Sequence, residues 1–184
     1  MKTVTVKQFK AFRPCWLETA EGREKFARIA AIQNKWTALD VLNLPDVSAQ
    51  DKFWSVLREE FIEAPILHEF ACRCAEYALS FVKSPDPRSI ALIEAKRKWL
   101  RGAITDAELY AAWDAVSDAA GAVTRAVAWA ITRAAAWYAA RYAVRVAART
   151  VEWSAESNAP WDAARAHEVE ILRELLEETK GDNQ

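Results

Sequence analysis

Hydrophobic residues recur along this chain at three- and four-residue steps, the spacing that places them on one face of a helix. No stretch alternates apolar and polar residues over the length of a strand. The pattern therefore predicts an all-α fold, a multi-helix bundle forming a single helical domain over residues 1–184.

Local signals place the ends of the predicted helices. A Ser or Thr followed three residues later by an acid or Gln is typical of a capping box, and Pro suits the first helical position. The predicted segments are 6–12, 21–35, 37–42, 49–63, 66–82, 88–101, about 106–154, and 160–178. We expect 49–63 and 66–82 to pack antiparallel, and Ile32 and Ile90 to lie on inner faces.

The segment 106–154 is unusually long and rich in Ala. As one straight helix it would measure about 75 Å at 1.5 Å per residue, whereas a compact domain of this size has a radius of gyration of about 16 Å. Either the helix bends near Gly121, or it protrudes and is covered by a second copy. The length, together with rows of Ala that permit close approach, predicts a homo-oligomer, with a dimer as the expected form.

Arg and Trp occupy every fourth position from Arg125 to Trp153. The candidate partner-binding residues are this row up to Arg149 and two neighbouring tyrosines: Arg125, Trp129, Arg133, Trp137, Tyr138, Arg141, Tyr142, Arg145 and Arg149. The repeat is eight residues long, so each repeat turns the row by about 80° around the helix. One flat partner could therefore contact only two or three turns, and we expect Arg133, Trp137 and Arg141 to be presented together.

Three interpretations of this row remain open. It could be a half-exposed edge whose Arg side chains lie over indole rings or pair with acids of the chain. It could be an interface for another protein, since Trp, Tyr and Arg are enriched at binding hot spots. It could also bind nucleic acid, with Arg on phosphates and Trp stacked on bases, which the acidity of the whole chain disfavours.

Charge along the chain is strongly asymmetric, although the formal net charge is only −1. Residues 121–151 contain five Arg and no acid, whereas residues 152–184 contain nine acids and three basic residues. The segment 160–178 is thus an acidic C-terminal helix. Pairing of the Arg row with Glu168, Glu170, Glu174, Glu177 or Glu178 is the first explanation to exclude before an external polyanion is invoked.

The cysteines and histidines suggest little chemistry. Cys15, Cys72 and Cys74 are typical of reduced cytosolic thiols. His68, Glu69, Cys72 and Cys74 form the cluster closest to a metal site, to which only distant Cys15 and His167 could add ligands. We favour packing roles, with His68 a satisfied histidine, and predict no metal and no cofactor.

Neither catalysis nor membrane insertion is expected. The sequence has no Gly-rich phosphate loop, no nucleophile motif and no His/Asp relay, so we predict that the protein is not an enzyme. It has no apolar signal core, and Arg interrupts every Ala-rich run, which disfavours a membrane span. We expect a cytoplasmic protein.

Three segments of the chain carry a family resemblance. They read VLREEF, LHEFACRCAEYAL and PDPRSIALIEAKRKWLRGAITDAEL, and the Ala/Trp/Arg repeat follows them. Over about residues 9–153 the chain resembles the immunity-five-like family of small proteins from bacteriophages and bacteria. The most specific parts are Cys72–Ala75 and the Pro-Asp-Pro-Arg turn at 85–88.

The resemblance implies an α-helical protein that binds and neutralises another protein, and it supplies no catalytic residues. Together with the Arg/Trp row, it predicts a phage- or prophage-encoded inhibitor in the bacterial cytoplasm. The expected partner is a host defence protein, as for an anti-CRISPR, or a toxin. The alternative is a phage accessory protein that binds nucleic acid through the Arg/Trp helix.

Overall fold

The computed structural model describes residues 2–117 and 159–181, and within these ranges the chain forms an all-α bundle, as the hydrophobic pattern predicts. The helices are α1 Val6–Ala11, α2 Ala20–Ala30, α3 Ala38–Leu42, α4 Ala49–Val56, α5 Ala64–Ser80, α6 Pro87–Leu100, α7 Asp106–Ser117 and α8 Ala159–Gly181. A 3₁₀ turn covers Cys15–Glu18, and two short strands are β1 Val4–Thr5 and β2 Lys35–Trp36. The bend predicted near Gly121 lies outside the described residues, as does most of the predicted long helix.

Capping boxes open several helices where the sequence predicts them. At α1 the Thr5 hydroxyl accepts a hydrogen bond from the Gln8 amide, and the Thr5 amide donates to the Gln8 side chain. Thr37 and Asp40 repeat this exchange at α3. Each box satisfies backbone donors that the first helical turn leaves unpaired.

The predicted helix 21–35 ends earlier than the pattern indicates. α2 stops at Ala30, and Ile32, expected on its inner face, is 70% exposed. The chain turns here because Lys35 and Trp36 pair antiparallel with Thr5 and Val4. Those paired strands join positions about thirty residues apart, so a local helical pattern cannot foresee them.

The predicted helix 49–63 is also shorter, because α4 ends at Val56. Phe61 and Ile62 are almost fully buried, but they belong to the turn that follows the helix and not to the helix itself. The Arg58 guanidinium lies 4.2 Å from the Phe12 ring centre and 4.6 Å from that of Trp54, and it donates to the Trp54 carbonyl. This stacked Arg holds the turn against α1.

Helix α5 is the central element of the bundle. It packs against α6 on one flank and α8 on the other, whereas α4 packs against α3 and α8. Helices α4 and α5 meet through the Phe53 and Phe70 rings, whose centres lie 5.9 Å apart. The antiparallel packing of 49–63 and 66–82 stays a prediction. Cys72 and Cys74 are both fully buried, and two residues along a helix place them about 200° apart.

Helices α6 and α7 form a hairpin through Gly102, which has a φ of 67° and ends α6 as predicted. The indole N–H of Trp99 donates to Asp106 at 2.6 Å, which links the two helices at the turn. Ile90 was expected inside but is 45% exposed. The inner face of α6 carries Ser89, Leu92, Ile93 and Lys96 instead.

The C-terminal helix agrees closely with its prediction. α8 covers Ala159–Gly181, and its buried face contains Val169, Leu172 and Leu176 as expected. Arg173 of α8 donates to the Asn43 side chain, which joins the helix to the end of α3.

Candidate functional site

Helix α7 presents an exposed aromatic pair. Tyr110 is 65% exposed, and its ring centre lies 5.4 Å from that of Trp113, which packs partly on the core. Leu109 and Val116 anchor the opposite side of the helix. We define Tyr110 and Trp113 as the α7 aromatic pair. Tyr and Trp are residue types enriched at binding hot spots, so this pair is a candidate contact surface.

The residues that the sequence singles out for partner binding follow α7 in the chain. All nine, from Arg125 to Arg149, lie outside residues 2–117 and 159–181. Their role as an interface therefore stays a prediction. The α7 aromatic pair lies within the described residues and precedes this row in the sequence.

Two of the acids proposed as counter-charges for the Arg row have partners elsewhere. Glu178 forms an ion pair with Arg73 of α5 at 2.5 Å, and Glu170 pairs with Arg173 on its own helix. The pKa of the Glu178 carboxyl is lowered, first by the hydrogen bond from Arg73. Both carboxylates, although about half exposed, therefore pair with Arg residues of the described bundle.

A half-exposed network of charged residues joins α5, α6 and α8. Arg97 of α6 donates to both Glu69 and Glu76 of α5, with its shortest contacts at 2.8 Å and 2.5 Å. Arg73 lies 3.5 Å from Glu69 and continues the network to Glu178. The pKa of Arg97 is raised, chiefly by its hydrogen bonds to Glu76 and Glu69. The network clamps the two flanking helices onto α5.

A buried polar cluster lies between α5 and α6. Lys96 is only 2% exposed, and its ammonium lies above the Trp99 ring, which the His68 ring meets edge-on at 5.6 Å. Burial, with a smaller effect of Lys96, lowers the pKa of His68 to about 4. Burial also raises the pKa of Cys72 to about 12 and lowers that of Lys96. At neutral pH the imidazole and the thiol are therefore uncharged.

This cluster differs from the predicted arrangement in one respect. His68 was expected to be satisfied, yet its Nδ1 atom is buried and has no hydrogen-bond partner within the described ranges. A Lys96 ammonium beside His68 and Cys72 would also repel a cation. Among residues 2–117 and 159–181, no three His, Cys, Asp or Glu side chains are grouped to hold a metal ion.

Glu168 of α8 is another buried ionisable group that packs beside α5. It is 0% exposed, and both carboxyl oxygens lack a hydrogen-bond partner in the described part of the chain. Cys74 and Tyr77 of α5 interact with it electrostatically, and both have raised pKa values, for which burial is the main cause. Burial raises the pKa of Glu168 itself well above its usual range.

An apolar cavity of about 40 Å³ lies in the N-terminal part of the bundle. Five aromatic side chains line it: Phe9, Trp16, Phe26, Trp36 and Phe61. Its polar lining residue, Ser55, already donates to the Asp51 carbonyl at 2.6 Å. Ligand pockets usually measure about 300–1,000 Å³, so this space is a packing void at most a few atoms wide.

Sequence reasoning missed both Lys96 and Glu168. The available signal was register: Lys96 follows Leu92 and Ile93 by four and three residues, and Glu168 lies four residues from both Ala164 and Leu172. A charged residue at an apolar position of a helical pattern is a candidate for burial. Glu168 is predicted only as a possible partner of the Arg row, and Lys96 is not among the predicted residues.

Comparisons with protein-family models, curated proteins and solved structures gave no match to the chain. In the described ranges, no helix combines the length and apolar character needed to cross a membrane.

Proposed function

We propose that the chain is a non-enzymatic protein that binds and neutralises another protein. The intended partner is a host defence protein or a toxin, and the binding surface combines the α7 aromatic pair with the Arg/Trp row that follows it. The protein acts in the bacterial cytoplasm and is encoded by a phage or prophage. The resemblance to immunity proteins supports the class of function, and the Arg/Trp row supports the proposed location of the binding surface.

The observation that carries the proposal is the exposure of Tyr110 beside Trp113. A ring 65% exposed contributes little to the core, yet the pair stands on a helix whose N-terminus is fixed by the Thr105–Glu108 capping box. Tyr and Trp side chains have few rotatable bonds, so they lose little entropy on binding and are suited to a protein contact. The basic residues that follow would add complementarity to an acidic partner surface.

Binding measurements on surface variants test the proposal. The tagged full chain is used to recover a partner from host lysate, and the purified partner is then titrated against Tyr110→Ala, Arg133→Glu and Trp137→Ala. Ile32→Ala is the matched control, because Ile32 is a similarly exposed apolar side chain on another face. Loss of a hot-spot residue costs at least about 2 kcal/mol, or about thirtyfold in affinity.

The expected result is a purified partner whose affinity falls about thirtyfold or more with each of the three surface variants and stays unchanged with Ile32→Ala. Recovery of no protein partner, or equal affinities for all four variants, would overturn the proposal. The rival function is nucleic-acid binding by the same Arg and Trp residues. Titration with duplex and single-stranded DNA at two salt concentrations separates them, because counterion release makes DNA affinity fall steeply with salt.

A further inference from the structure

Glu168 lies in the first half of α8, where this helix packs on α5. Its carboxyl group is fully buried, and neither oxygen has a donor in the described ranges. A buried polar group without a partner is costly, and an ionised carboxylate in such a place costs far more than a neutral acid. The packed position of Glu168 therefore favours the protonated acid.

The groups facing Glu168 do not offset its charge. On α5 these are the Cys74 thiol and the Tyr77 hydroxyl, whose ionisation the carboxylate opposes. On α8 itself, Arg165 favours the ionised carboxyl, but burial outweighs this effect on the pKa. Lys52 of α4 interacts electrostatically with Arg173 and Glu170 and not with Glu168. Helix α3 meets α8 through the neutral side chain of Asn43.

The two halves of α8 are held differently. The second half carries the buried Leu172, Leu175 and Leu176, and Glu178 pairs with Arg73 of α5. The first half contributes Val169 to the main core and packs Ala164 in a small separate cluster with Tyr77 and Phe81. It therefore buries fewer apolar side chains than the second half, and it holds the buried carboxyl.

We propose that Glu168 is a proton-controlled latch: protonated, it allows the first half of α8 to pack on α5, and ionised, it releases that half. The species that binds and controls this part of the fold is a proton on the Glu168 carboxyl. Release uncovers the rings of Tyr77 and Phe81, while the second half of α8 stays attached through its leucines and the Arg73 ion pair.

The direction of the pH dependence follows from proton linkage. The packed state binds a proton more tightly than the released state, in which the carboxyl has its ordinary pKa. Packing is strongest below that ordinary pKa and weakens as the pH rises towards the pKa of the packed state. Within this window the ratio of released to packed molecules rises by about tenfold per pH unit for a single proton.

Hydrogen exchange of the full chain tests the latch. Protection factors, corrected for the pH dependence of intrinsic exchange, are measured between pH 5 and pH 8 for segments 162–170 and 172–180. Glu168→Gln preserves the shape of the neutral acid, and Glu174→Gln makes the same change at an exposed position of the same helix. Local opening is the quantity that hydrogen exchange reports.

In the wild type and in Glu174→Gln, protection of 162–170 should fall with rising pH by up to about tenfold per unit, while protection of 172–180 should not fall. In Glu168→Gln the protection of neither segment should fall as the pH rises. A wild-type protein without a pH-dependent loss in 162–170, or the same loss in Glu168→Gln, contradicts the latch. Equal loss in both segments of the wild type also contradicts it, because opening is then not confined to the first half of α8.

Discussion

The Lys96 ammonium lies 3.9 Å from the centre of the Trp99 ring, inside the interface between α5 and α6. No carboxylate forms an ion pair with Lys96 within residues 2–117 and 159–181, although Asp106 acts on it at longer range. The indole ring of Trp99 is thus the closest group that stabilises the Lys96 charge. A desolvated cation–π contact of this kind is worth about 2 kcal/mol. Taking a charged group out of water costs several kcal/mol, so burial outweighs the ring contact.

Replacing Lys96 with Met is expected to stabilise the protein. Met keeps the length of the side chain and removes the buried charge, so the free energy of unfolding at pH 7 should rise by about 1–2 kcal/mol. Urea unfolding measures this change, with the exposed Lys98→Met as control. A loss of stability in Lys96→Met beyond that of the control would show that the ring contact dominates.

His68 should make the protein sensitive to mild acid. Its pKa is about 4 in the folded state, below the ordinary value of 6.5, so the folded state binds fewer protons. The stability associated with neutral His68 is complete above pH 6.5 and is lost as the pH falls towards 4, by up to about 3 kcal/mol. His68→Leu should remove this part of the pH dependence.

The measurement is the difference in unfolding free energy between wild type and His68→Leu at several pH values from 4 to 7.5. Taking the difference cancels titrations common to both proteins, including that of Glu168. His167→Leu is the matched control, because His167 lies at an exposed position of α8. A parallel pair of curves for wild type and His68→Leu would refute the assignment.

Arg97 joins α6 to two carboxylates of α5, so Arg97→Met should weaken the bundle. The side chains of Arg97, Glu69 and Glu76 are partly exposed, so solvent screens the pairs, and we expect a loss of about 1–2 kcal/mol. Arg28→Met is the control because the Arg28–Glu24 pair is mostly exposed and should change stability by less than about 0.5 kcal/mol. Thermal or urea unfolding measures the change in unfolding free energy for both variants. Equal changes in Arg97→Met and Arg28→Met would contradict a clamping role for Arg97.

Self-association is a separate prediction from the length and the Ala rows of residues 106–154. Sedimentation equilibrium over a wide concentration range should give a mass above that of the 20.7 kDa chain, with a dimer as the expected species. A mass equal to one chain at every concentration would exclude the dimer and favour a bent helix.

The elements that local chemistry determines could be predicted from the sequence. Thr5 with Gln8 and Thr37 with Asp40 open helices because each pair satisfies backbone groups within one turn. Gly102 ends α6 because its positive φ suits glycine. The same local rules placed the start and the buried face of α8.

Features that depend on distant partners could not be predicted in this way. The early end of α2 follows from the pairing of Trp36 with Val4. Ile90 has helical spacing but faces outward, because the position of α6 between α5 and α7 selects its buried face. Lys96 and Glu168 are buried by helices far away in the sequence, and their charge gives the opposite expectation.

The candidate site, too, could be predicted only in part from local sequence. The residue types of the Arg/Trp row indicate binding, but periodicity does not reveal which side chains share a surface with a folded neighbour. Tyr110 is not among the predicted binding residues, because it lies before the Arg/Trp row in the sequence. Its exposure becomes evident only once Leu109 and Val116 are known to occupy the inner face.

Site-specific photo-cross-linking tests the central claim, protein binding through the surface that begins at α7, most directly. A photoreactive phenylalanine is placed at position 110 or, as control, at position 32, and each full-length protein is irradiated with the purified partner. We expect a covalent product from position 110 and none from position 32. A product from position 32 alone, or equal products from both positions, would contradict the proposed surface.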